Sequence, residues 1–92
     1  MDKYKDNTLV ETTDAIILLN DNYLNKGLKA GYIGVVVDNL ISSKGIILVD
    51  FFNPFNGEDI SALTEIKKED FRVVSGSTSD QKLVKKFKDL FR

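Results

Sequence analysis

Apolar residues along this chain come in short runs, and clusters of Asn, Asp, Ser and Gly separate the runs. Such spacing predicts short strands joined by turns. The run from Asp14 to Asn20 (DAIILLN) is rich in β-branched residues and reads as a buried strand. Residues 22–31 follow neither the helical nor the strand period and contain two glycines, which predicts a loop. Tyr32 to Ile41 reads as a long strand. Ser42–Gly45 is a tight-turn signal, and Ile46 to Phe52 is the returning strand of a hairpin. Asn53–Gly57, with the only proline, predicts a second turn. Residues 58–66 then alternate at Ile60, Ala62 and Ile66 as a fourth strand. The KKED stretch is a tight connection suited to one 3₁₀ turn, and Phe71–Val74 is a fifth strand. The weakly patterned residues 1–13 form an arm, with a short strand at Thr8 to Glu11.

The last segment changes period. After a linker at 75–79, Leu83, Val84, Phe87, Leu90 and Phe91 fall within an arc of about 120° on a helical wheel. Lys82, Lys85, Lys86, Lys88 and Arg92 take the other side. Thr78 and Gln81 match a capping box, which places the helix start near Ser79 and the helix over 80–92.

Strand parity predicts which residues face inward. Ile33, Val35 and Val37 are expected inside, with Tyr32 and Val36 outside. Ile47, Val49 and Phe51 are expected inside, leaving Ile46, Leu48, Asp50 and Phe52 outside. That many outward apolar residues require a cover, supplied either by the C-terminal helix or by another chain.

Three glycines, at 27, 31 and 34, crowd the approach to the second strand. Glycine within a strand marks a bend, a bulge or a close backbone approach, which suits Gly34. Gly27 and Gly31 suit loop positions of positive φ. Their G-x3-G-x2-G spacing matches no phosphate-binding fingerprint, and no helix follows them. Five short strands with a long first loop, a tight central hairpin and a tight last turn describe a mainly β fold, a small five-stranded SH3-like barrel at 14–74 with a C-terminal amphipathic α-helix.

Composition narrows the chemistry. Ninety-two residues make one small domain with a thin core. The chain has no cysteine and no histidine. Disulfides, thiolate nucleophiles, Cys-based zinc sites and the commonest general base are thereby excluded. No stretch approaches the roughly 20 apolar residues of a membrane span, the start does not resemble a signal peptide, and a cysteine-free chain suits the cytoplasm. The net charge of −1 conceals a division. Residues 38–70 carry seven acids and three bases, whereas residues 71–92 carry six bases and two acids. Asp14, Asp38, Asp50, Glu58 and Asp59 fall at strand ends and turns, without the spacing of a hydrolytic pair or a convergent metal site. No catalytic, metal or cofactor site is expected. Ser42, Ser43, Ser75, Ser77 and Ser79 lack a histidine partner and read as turn and linker residues.

Certain residues also carry a resemblance: Asp14, Ile16 and Leu18; Gly27, Leu28, Gly31, Gly34, Val36 and Val37; Val49 and Phe51; Leu63, Phe71 and Val74. Over residues 14–74 the chain resembles the uncharacterised bacterial family catalogued as domain of unknown function 4926, and more weakly the KOW-type barrels of ribosomal and transcription proteins. The first resemblance implies an SH3-like barrel, a small binding protein without catalytic residues, and in some members an association with toxin-like partners. The expected function is a non-enzymatic, cytoplasmic protein-binding module, an immunity or antitoxin-like protein that occludes a basic partner. Its docking surface would comprise Tyr32, Asp38, Asp50, Phe52, Phe55, Glu58 and Asp59. The alternative is a KOW-like nucleic-acid-binding module using Lys82, Lys85, Lys86, Lys88 and Arg92, although the acidic body opposes approach to phosphates. A self-associating structural protein is a third reading, consistent with apolar outer faces.

Overall fold

The computed structural model describes residues 7–92; the start of the expected arm lies outside the described residues. Five strands, β1 (Ala15–Leu18), β2 (Ile33–Leu40), β3 (Ile46–Phe52), β4 (Asp59–Lys67) and β5 (Phe71–Val73), form one antiparallel sheet in the order β4-β3-β2-β1-β5. A one-turn helix, α1 (Ile41–Lys44), joins β2 to β3, and a longer helix, α2 (Thr78–Asp89), follows β5. Among the described residues no helix is long and apolar enough to cross a membrane.

The connection between the edge strands forces curvature. β4 and β5 lie at opposite edges, roughly 19 Å apart in a flat sheet of five strands. Yet residues 68–70 alone join them, in a turn where the Asp70 N–H donates to the Lys67 carbonyl at 3.0 Å. Such a turn holds its ends within about 7 Å, so the sheet curls on itself. No ladder pairs β4 with β5 among the described residues. The concave side encloses Ile16, Leu18, Leu28, Val36, Ile47, Val49, Phe51, Ile66, Phe71 and Val73, with Val10 packed among them.

Gly34 sits where β2 lies close against β3. A Cβ there would lie 2.5 Å from Val49 Cγ1, 2.9 Å from the Asp50 carbonyl oxygen and 2.9 Å from Phe51 Cδ1. Glycine is present because β2 and β3 approach too closely for a side chain. Gly27 and Gly31 instead have φ of 78° and 90°, with open space where a Cβ would be.

Several local expectations are corrected. Residues 8–11 form no strand: Asn7–Leu9 is a 3₁₀ turn. The Asn39 amide donates to the carbonyls of Thr8 (3.2 Å) and Val10 (2.8 Å), taking acceptors that a neighbouring strand would use. Ser42–Gly45 is not a bare turn but the body of α1, ended by Gly45 in the left-handed region. Parity along β2 is reversed. Gly34 and Val36 are buried, Ile33 and Val35 are only half-buried, and Val37 is exposed at a bulge between Val36 and Asp38. Ala62, expected inside, is exposed because β4 also bulges, and Thr64 takes the inner position. The helix begins at Thr78, because the Ser77 hydroxyl caps it by accepting from the Asp80 N–H at 3.2 Å. Gln81 reaches the Gly76 carbonyl instead of closing a box with Thr78.

Candidate protein-docking face

The convex side of the sheet is divided between α2 and solvent. Ile17 pairs with Ile33 on one side and with Arg72 on the other, so these three share the convex face. Helix α2 is joined to this side through Asp80 on Arg72 and through Phe87 on Tyr32, next to Ile33. Phe87 is buried, and its ring meets Tyr32 edge-on at 5.5 Å and Phe91 at 5.2 Å; Tyr32 and Phe91 close the triangle at 5.9 Å. Such edge-to-face contacts are each worth about 0.5–1.5 kcal/mol beyond area burial. Leu90, expected in this cover, is 61% exposed.

The N-terminal end of α2 is held by charge. Both carboxylate oxygens of Asp80 accept from the Arg72 guanidinium, at 2.8 and 3.0 Å. The Ser75 amide (2.6 Å) and hydroxyl (2.8 Å) donate to the same carboxylate. Asp80 is only 4% exposed, and Arg72, with Ser75, holds its carboxyl well below the usual carboxylate range. A second polar cluster ties the β1–β2 loop to the β4–β5 turn. Asp70 accepts from Asn20 (2.9 Å), Tyr23 (2.7 Å) and Asn22 (3.5 Å), while the Tyr23 oxygen accepts from the Lys67 N–H at 2.9 Å. Burial would raise the Asp70 carboxyl, but these donors and nearby Lys67 outweigh it and lower it. Burial, helped by Asp70 and opposed by the Lys67 N–H, pushes the Tyr23 phenol up to about 12. Both clusters are internally satisfied, which makes them structural clamps. Their acids escape a sequence reading because their partners are distant or lie across a linker. The one available signal is Ser77-x-x-Asp80, itself a capping pattern.

Beyond α2 the convex face is open. Across β2, β3 and β4, Asp38 pairs with Leu48 and Leu48 with Glu65, forming one transverse row. Two residues further along β3, Asp50 pairs with Val35 of β2. On the β4 side Ala62 and Leu63 together oppose Asp50, between the pairs Val49–Thr64 and Phe51–Ser61. The Asp50 carboxylate fixes this bulge by accepting from the Leu63 N–H at 2.7 Å. Phe52, half-buried, pairs with the exposed Asp59 in the next row. Asp38, Asp50, Phe52 and Asp59 therefore gather on one surface, and Glu65 and Leu63 join them without having been singled out from the sequence.

Other candidates separate from that surface. Tyr32 lies half-buried under α2 and belongs to its packing. Glu58 and Phe55 are exposed on the β3–β4 turn, where the Arg92 guanidinium lies 5.7 Å from the Phe55 ring centre. Arg92 also pairs with Asp89 at 2.9 Å. Lys82, Lys85, Lys86 and Lys88 are exposed along α2. Among the described residues no group of three or more carboxylates converges as a metal site would require. No protein-family model, curated protein or solved structure matches this chain.

Proposed function

We propose that this chain is a non-enzymatic protein-binding module, built on an SH3-like barrel of the kind represented by domain of unknown function 4926, whose acidic convex face engages a basic partner protein. The observation that carries the reading is the Asp38–Leu48–Glu65 row, bordered by Asp50, Phe52 and Asp59. Apolar side chains interleaved with acids offer area to bury and a charge pattern that selects the partner. The acids raise the association rate through steering more than they raise affinity, and salt weakens that contribution. In the cell this role is that of an immunity or antitoxin-like protein occluding a basic surface in the cytoplasm. The exposed lysines of α2 favour nucleic acid less, because the acidic sheet face adjoins them.

The test is affinity capture from the native cell, with the parent and an Asp38→Lys/Glu65→Lys variant as baits at about 150 mM salt, where screening acts beyond about 8 Å. A basic protein retained by the parent and lost by the equally stable variant supports the reading. Equal retention by both refutes it, as does sub-micromolar oligonucleotide binding that Lys85→Glu/Lys86→Glu abolishes.

A further inference from the structure

We propose that a second copy of this chain is a partner of the acidic face, with Leu63 of one copy seated in a cleft beside α2 of the next. The inference rests on the reading of that face as a docking surface and names one occupant for it. Leu63 is the knob. It is held at φ 49°, a conformation that L-residues rarely adopt, and its side chain is 59% exposed. A bulge re-aims a side chain, and here it directs an apolar one into water beside Asp50 and Glu65. The complementary cleft lies between α2 and the end of the β1–β2 loop. Its volume is about 110 Å³, and Ala30, Gly31, Leu83, Lys86, Phe87 and Leu90 line it. That is comparable to the roughly 150 Å³ void left when one leucine side chain is removed from a core.

Charge decides how two copies meet. The knob stands beside Asp50 and Glu65, on a groove that Lys26 of the β1–β2 loop also borders, while Lys86 lines the cleft and Lys82 and Lys85 stand exposed on the same helix. A two-fold pairing of α2 against α2 would oppose lysine to lysine. Knob into cleft instead opposes acids to lysines, a head-to-tail contact that propagates into a ring or an open chain. At the β4 edge, Tyr23 occupies the Lys67 N–H and the Leu63 bulge breaks the ladder, which leaves faces rather than that edge as the route to association.

The test is sedimentation velocity of the full chain across a concentration series, at about 0.02 M and about 0.5 M salt, which bracket the ionic strength where the Debye length is near 10 Å. Concentration-dependent growth is expected at low salt and its loss at high salt. Leu63→Gly removes the knob and suits the positive φ, so folding is retained. Leu90→Lys alters the cleft rim at an exposed position. Each variant should associate at least tenfold more weakly than the parent. Mixed in equal amounts they should form a dimer and nothing larger, because one retains the cleft and the other the knob. A parent that stays monomeric at low salt, a Leu63→Gly variant that assembles like the parent, or a mixture that stays monomeric would overturn the proposal. Polylysine titration of the parent in the same buffer separates the two readings. Binding without self-association removes only the second copy, whereas absence of both removes the docking face as well.

Discussion

Substituting the glycines one at a time separates two physical reasons for glycine. At Gly34 the added methyl meets Val49 Cγ1 at 2.5 Å, the Asp50 carbonyl oxygen at 2.9 Å and Phe51 Cδ1 at 2.9 Å. Val49 and Phe51 are fully buried, and the carbonyl belongs to the β3 backbone, so none of the three can step aside freely. Overpacking of this kind costs about 1–3 kcal/mol or more. Alanine recovers about 0.4–1 kcal/mol by restricting the unfolded chain. Gly34→Ala should therefore lose a net of about 1–2 kcal/mol, and each kcal/mol lowers the melting temperature by roughly 4–8 °C in a domain of this size. Gly27→Ala has open space but φ of 78°, and should lose about 1 kcal/mol from strain alone. Gly76→Ala has open space and no positive φ, and should be neutral or slightly stabilising. Urea unfolding of the three variants beside the parent gives the order. If Gly34→Ala melts with Gly76→Ala, β2 and β3 do not approach as described, and the account of the curl fails with them.

Removing the Asp80 carboxylate by Asp80→Asn should cost about 2–3 kcal/mol, less than a fully buried pair because the Arg72 side chain is 39% exposed. Asp80 is depressed in the fold, so its contribution is present above the ordinary value of 3.8 and is lost as pH falls below that through the lower folded value; acid titration of stability should be shallower in the variant. Phe87→Ala should cost about 2–4 kcal/mol and Leu90→Ala less than about 0.5, because one ring is buried and the other side chain is mostly in water. Thermal melts of the pair decide whether α2 covers its own sheet. Equal losses would refute that packing.

The strands were legible wherever an apolar run stood between turn residues. The β3 alternation at Ile47, Val49 and Phe51 translated directly into three fully buried side chains. Gly34 was legible as a close approach because a glycine among β-branched residues has few other uses. What failed was parity. One extra residue in a bulge reverses every assignment beyond it, and nothing in Val35-Val36-Val37 announces which valine is the extra one. The same holds for Ala62 and Leu63. The apolar face of α2 was legible from its period, but its register on the sheet depends on Arg72 reaching Asp80 across the linker. With Asp80 anchored there, Phe87 packs on Tyr32 and Leu90 stays outside.

The division of the convex face also bears on what the acids do. Helix α2 has 12 residues, about 18 Å of length and a width near 10 Å, too little to cover strands of seven to nine residues across the whole sheet. The sequence follows this division. The row of Ile17, Ile33 and Arg72 holds two apolar residues and the helix's own ion-pair partner. Asp38, Asp50 and Glu65 lie beyond it, on the rows through β3. Solubility alone would account for acids at those positions, but it would equally replace Leu48, Phe52 and Leu63 with polar residues. Leu63 is the hardest to assign to stability, since its conformation strains the backbone while most of its side chain remains in water. On the proposed reading, Leu63, set beside acids and held out by a bulge, belongs to a surface that is covered only some of the time. A partner that comes and goes needs such a surface, because the free state must stay soluble and the bound state must still exclude water.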